Sequence, residues 1–215
     1  MRNTIRNSKQ TIKNVLLVAC AAMCGAAFTA APSQAAEPAR LTPPPVPVEI
    51  EVPAGFEPFL VGHGVGTQNY VCVPSGSGFA FTLFTPQATL FTDQGHQVTT
   101  HFFSPNPDEG GVIRVAWEHS RDTSTVWGQV TRQFSDPPFV IRGAIPWLRV
   151  DVVGAAEGPT GGRKLTDTKF IQRVNTVGGA APAIGCRSAA DVGNKEFVPY
   201  TADYFFFRKH TDEQN

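Results

Sequence analysis

The sequence predicts an all-β protein, a single-domain antiparallel β-sandwich or barrel. Short apolar runs, alternating or continuous, recur along the chain with clusters of Gly, Pro, Asn and Asp between them. The composition suits strands and turns, with 16 Phe, 20 Gly and 18 Pro in 215 residues. Helical periodicity is scarcely visible after residue 35. Strands at this spacing fit a sandwich and a barrel equally. There is no internal repeat. Gly154–Lys164 (GAAEGPTGGRK) reads as a flexible loop and not a domain boundary, because strand signals resume directly after it.

The first element is a signal peptide over residues 1–35. Arg2, Arg6, Lys9 and Lys13 form a basic region without acids, and Val15–Ala31 is almost entirely apolar. Ser33-Gln34-Ala35 puts small residues at the positions a signal peptidase reads, so cleavage after Ala35 fits. Two alternatives stay open. The apolar segment could anchor the chain, although it is short for a span. Leu17-Val18-Ala19-Cys20 also has the form of a lipobox, which would make a surface-anchored lipoprotein lipidated at Cys20. The reading is a secreted or periplasmic protein with no transmembrane span in the mature chain.

Removing residues 1–35 changes the charge. The full chain has 18 basic and 18 acidic residues; loss of four basic ones leaves 14 against 18, a net charge of −4. A mildly acidic chain without a block of like charge has no electrostatic footprint for nucleic acid or an anionic membrane. About 180 residues remain, enough for one domain with a real core.

The remaining elements follow in order. Residues 36–48 are a Pro-rich lead-in: Pro38, Pro43, Pro44, Pro45 and Pro47 sustain neither helix nor central strand. The β domain is placed at 49–209, with a polar tail at 210–215. Strand-like runs lie at Gln68–Val73, Phe79–Phe84, Ala88–Thr92 and Gln97–Phe103. Ser104–Gly111 (SPNPDEGG) reads as a surface loop. Ile113–His119 alternates, with Ile113, Val115 and Trp117 on one face. Ser124–Thr131, Ile145–Val153, Thr168–Asn175 and Phe197–Phe207 complete the set. Tyr204-Phe205-Phe206-Phe207 is apolar on both faces and so reads as a central strand. Ser188–Val192 suits one short helical turn. Cys20 and Cys24 lie in the signal, which leaves Cys72 and Cys186. In an oxidising compartment they read as one disulfide, with two buried thiols as the alternative.

Several of these segments carry a family resemblance. They are GVGTQNYVC at Gly64–Cys72, THFF at Thr100–Phe103, IPWLRV at Ile145–Val150, FIQRVNTVGGAAPAIGC at Phe170–Cys186 and VPYTADYFFF at Val198–Phe207. The chain resembles the DUF3455 family, secreted proteins of bacteria and fungi defined by sequence and without an established activity. The resemblance runs from about Pro45 to Arg208. The stretch Ser104–Gly111 looks longer than the compact glycine turn the family tends to have there. Some fungal relatives carry a malate dehydrogenase label. Gly62-His63-Gly64-Val65-Gly66 does not support it: the pattern is G-x-G-x-G, and a strand-like run follows where a dinucleotide site needs a helix.

The chemistry-bearing residues are sparse. His63, His96, His101, His119 and His210 show no HExxH pattern, and no CxxC is present. His101 is the candidate metal ligand, because it sits in a family-matching segment; the alternative is a histidine hydrogen-bonded at a strand end. Glu118, Asp122 and Asp203 have no diagnostic spacing for paired-acid catalysis. Ser75 and Ser77 lie in a PSGSG turn, not a nucleophile elbow. Trp117, Trp127 and Trp147 fit core positions, or else a sugar-stacking platform. Gln68, Asn69, Tyr70, Gln172, Arg173 and Asn175 form the candidate ligand-binding set, since a Cys72–Cys186 bridge would draw their two segments together. They suit a small polar ligand or a glycan, or an internal hydrogen-bond network. No catalytic residue and no cofactor is assigned. The reading is a structural or ligand-binding β domain. A metal-dependent enzyme or redox protein with a histidine-containing site is the alternative.

Overall fold

The computed structural model describes residues 41–211. The signal segment 1–35 and the start of the lead-in lie outside them, as do residues 212–215. Eight strands form the fold: β1 (Phe56–Ser75), β2 (Gly78–Phe91), β3 (Gln97–Asn106), β4 (Val112–His119), β5 (Thr125–Phe134), β6 (Trp147–Ala156), β7 (Thr168–Gly178) and β8 (Lys195–Lys209). Each pairs antiparallel with the next, and β8 returns to pair with β1, so the sheet closes into an up-and-down barrel. Of the two expected architectures the barrel is the one formed. Closure leaves no outer strand without a neighbour.

Alternation along each strand sorts the side chains. On β8, Tyr200, Ala202, Tyr204 and Phe206 face the interior, where they pack with Leu90, Trp117, Val126, Val150 and Ile171. Ile145 and Leu165 join this core from loops. The other face of β8 carries Phe205 and Phe207. They meet Ile50, Val140, Trp147 and Val174 in a second cluster outside the barrel. The lead-in supplies Ile50 from a 3-10 turn, Val48–Ile50, and so covers that outer face. Both faces of Tyr204–Phe207 are therefore buried, as their continuous apolar run requires. No helix among the described residues is long and apolar enough to cross a membrane.

β5, β6 and β7 each run three residues past the expected end, to Phe134, Ala156 and Gly178, so that Gly154–Ala156, read as loop, is strand; β1, β2 and β3 depart further. β1 begins twelve residues before Gln68, at Phe56. Its early half was hidden because Gly62, Gly64 and Gly66 occupy interior positions. A Cβ there would come within 2.9 Å of Leu90, 2.8 Å of Tyr204 and 2.1 Å of the Gln87 carbonyl respectively. The G-x-G-x-G pattern thus lets β1 lie close against interior side chains and the β2 backbone. Phe79–Phe84 and Ala88–Thr92 are one strand, β2, which bulges at Phe84 and runs on through Pro86. Ser104–Asn106, read as loop, continues β3 by pairing with β4, and only Pro107–Glu109 turns off as a 3-10 segment.

β2 and β3 pair over a short stretch only, from Phe91 with Gln97 to Ala88 with His101. Beyond that point β2 stays with β1 and β3 stays with β4. Proline explains the fork. Continuing the register would set Pro86 opposite Phe103. The Phe103 N–H points toward β2, since it donates to the Thr85 Oγ1 at 3.1 Å. Antiparallel partners at such a position exchange two N–H···O bonds, and Pro86 has no N–H to give. Pro105 removes a second donor two residues on.

Candidate functional site

The fork opens a cleft of about 690 Å3 in the barrel wall. Val65, Gly66 and Thr67 of β1, residues 85–89 of β2 and residues 100–102 of β3 line it, with Phe197 of β8 at its edge. His101 faces the interior, as Gly66 and Ala88 do, and pairs with Ala88 on one side and Trp117 on the other. The residue is 3% exposed, and its ring stacks on Trp117 at 4.3 Å between centroids, 13° from parallel. Tyr204 tilts against it at 5.3 Å.

The protonation of His101 follows from its surroundings. Burial lowers its pKa to about 3, against the small opposing effect of its bond to the Ala116 carbonyl. That bond is 2.9 Å from Nδ1, and a carbonyl oxygen can only accept. The proton of the neutral ring therefore sits on Nδ1, and Nε2 carries a lone pair. A ring fixed in this way offers a hydrogen-bond acceptor and no charge.

The predicted polar set divides by strand alternation. Gln68, Tyr70 and Arg173 face the barrel interior with Tyr200 and Tyr204. The Tyr70 hydroxyl donates to the Gly179 carbonyl at 2.7 Å, and the Tyr200 and Tyr204 hydroxyls bond each other at 2.9 Å. Burial raises the pKa of all three tyrosines, so their hydroxyls stay protonated. Arg173 donates through Nε and Nη2 to the Pro146 carbonyl at 3.2 and 2.9 Å, and makes no ion pair among the described residues. Asn69 sits beside the cleft, accepting from Thr67 Oγ1 at 2.6 Å and donating to Gln87 Oε1 at 3.5 Å. Gln172 faces outward and donates to the Ile50 carbonyl at 2.8 Å, which ties down the lead-in. Asn175 also faces outward and donates to Asp203 Oδ2 at 2.7 Å. Of the six, Asn69 is the one whose partners line the cleft.

Cys72 and Cys186 form the disulfide, with Cα atoms 5.4 Å apart. The bridge fixes the segment after β7 against the β1–β2 hairpin. There the Cys72 N–H also donates to the Asn194 carbonyl at 2.9 Å, and Cys72 accepts from Gly193 at 3.0 Å. Trp117, Trp127 and Trp147 are all buried, so none offers a face to a ligand.

Among the described residues no group of three His, Cys, Asp or Glu side chains is placed to hold a metal. A different histidine makes the densest polar contacts. His63, on the outer face of β1, meets Asp203 Oδ1 at 2.7 Å through Nδ1 and Asp93 Oδ1 at 2.8 Å through Nε2. The hydrogen bond to Asp203 raises its pKa most, with burial opposing and Asp93 adding to the rise. Asp122 serves a loop: it accepts from Ser124 and from the Lys164 N–H at 2.8 Å. Burial opposes its ionisation, yet those bonds hold its carboxyl at about 2.

The cleft residues Thr67, Thr85, Gln87 and Phe197 were not singled out from sequence. The available signal was Pro86 within a strand-like region, because proline in a sheet marks an edge or a bulge. Residues 53–208 match the family model described as a protein of unknown function, DUF3455. No curated protein and no solved structure matches the chain.

Proposed function

We propose that this chain, which belongs to the DUF3455 family of proteins of unknown function, is a secreted or periplasmic barrel that binds a small ligand in the cleft between β2 and β3. The observation that carries the reading is the cleft itself. At about 690 Å3 it falls in the range of ligand sites, about 300–1,000 Å3. Rigid walls flank it, since β1 and β4 hold the two diverging strands in place. The barrel interior is instead filled by Trp117, Tyr204 and Phe206, so a ligand enters from the side and not down the axis. The disulfide fits an oxidising compartment. The interior is packed with aromatic and aliphatic side chains, whereas a membrane-spanning barrel carries a polar interior.

A ligand screen observed by amide NMR tests this. Binding is expected to shift Gln87, His101 and Phe102 before other residues. Hits that shift only residues far from the fork, or clean turnover of a substrate there, would replace the binding reading.

A further inference from the structure

We infer that the cleft takes a saccharide, a neutral ring with several hydroxyls and one apolar face. The inference rests on the cleft being a ligand site and adds the chemistry of the ligand.

Charge comes first. Among the described residues no Asp, Glu, Lys or Arg lines the cleft. An ionised ligand would lose water there and gain no counter-charge, which is costly. Hydrogen bonding comes second. Thr100 contributes a hydroxyl; the Thr67 and Thr85 hydroxyls already donate to Asn69 Oδ1 and the Pro86 carbonyl and so have only acceptor capacity left, and among the described residues the bond to the Gln87 side chain is the long one from Asn69 at 3.5 Å. Hydroxyls and amides both donate and accept, so they match a ligand whose groups do the same. An alkyl chain would offer no partner to the Gln87 amide or the Thr100 hydroxyl.

The third observation is aromatic. Phe197 is 56% exposed at the cleft edge and packs edge-on against Phe84, 6.4 Å away at 82°. That contact supports the ring and leaves it available for the apolar C–H side of a sugar. An extended peptide is disfavoured, because strand addition needs free N–H groups along an edge and Pro86 and Pro105 remove them.

The test is NMR titration with neutral methyl glycosides of glucose, galactose, mannose and N-acetylglucosamine and their disaccharides. Methyl glucuronoside, an alkanediol and a valine-rich peptide serve as comparators. Neutral sugars are expected to shift Gln87, His101 and Phe102, and glucuronoside to bind more weakly than glucoside. Gln87→Leu and Phe197→Ala, both at exposed positions, should each weaken the best sugar about tenfold without loss of fold. Comparators that shift the cleft while every sugar fails would overturn the saccharide and leave the ligand site standing. Silence of the cleft toward all probes would remove both. Sugar binding unaffected by both substitutions would place the sugar elsewhere and also overturn the inference.

Discussion

At the scale of single residues, two outward-facing side chains make the sharpest predictions. His63 is held between Asp203 and Asp93, and its pKa is raised above the ordinary value. A raised folded-state pKa adds stability that is fully present below the unfolded value, about 6.5, and fades as pH climbs through the folded value. The side chain is 39% exposed, so solvent screening limits the effect to about 1 kcal/mol or less. Thermal melts of the wild type should therefore show a small loss between pH 6 and pH 9 that His63→Gln abolishes; an identical loss in the variant would place the effect elsewhere. Asn175 has φ +52°, a left-handed conformation that asparagine tolerates and glycine prefers. It sits where the β7–β8 register shifts between Val174 and Val177. Asn175→Ala and Asn175→Gly both lose the bond to Asp203, but only alanine meets the steric penalty. Urea denaturation should find the alanine variant less stable than the glycine variant by about 1 kcal/mol. Equal stabilities would mean that the backbone relaxes.

At the scale of elements, the strands that were legible were those whose inward residues are large. Ile113–His119 showed its period because Trp117 marks one face, and Phe197–Phe207 was legible as a continuous apolar run whose Tyr204 and Phe206 turn inward. β1 was legible only from Gln68, since glycine at 62, 64 and 66 leaves an alternating strand with no apolar beat. The same substitution of small for large explains why the barrel closes there. Gly66→Ala tests it: the added carbon meets the Gln87 carbonyl and the Ala88 Cα, both backbone, so neither can rotate away. Overpacking of this kind costs about 1–3 kcal/mol or more, and a chemical melt should show it; a loss below about 0.5 kcal/mol would mean that β1 and β2 can part. The candidate site was less legible for a related reason. Gln68, Arg173 and Tyr70 are interior, while Gln172 and Asn175 turn out, because a period of two splits any run of polar residues between faces. Sequence proximity grouped them; the barrel wall separates them. The cleft depends on where a proline falls in a hydrogen-bonded register, and that register exists only once β2 and β3 are aligned.

At the scale of the whole barrel, closure and cross-link are separate devices. β1 and β8 pair from Phe56 with Lys209 to Val71 with Lys195, so hydrogen bonds alone join the two ends of the sheet. The Cys72–Cys186 bridge spans 114 residues and ties down the segment between β7 and β8, alongside the barrel's own ladder. The sequence made the bridge readable by elimination, but not the closure, because nothing local reports that the first and last strands are neighbours. If closure is independent of the bridge, the double variant Cys72→Ala/Cys186→Ala should still fold. Cross-linking a loop of this length restricts the unfolded chain by about 4–5 kcal/mol in the chain-entropy description, and measured losses run about 2–5 kcal/mol. For a domain of this size that is a fall in Tm on the order of 10 °C. The far-UV β signal should persist at 25 °C, while amide exchange should rise first in residues 180–194 and at the Cys72–Asn194 bond. Loss of the β signal would instead show that the ladder between β1 and β8 cannot close without the covalent link. In that case the bridge, and not the hydrogen-bonded ends, would be what makes the sheet a barrel.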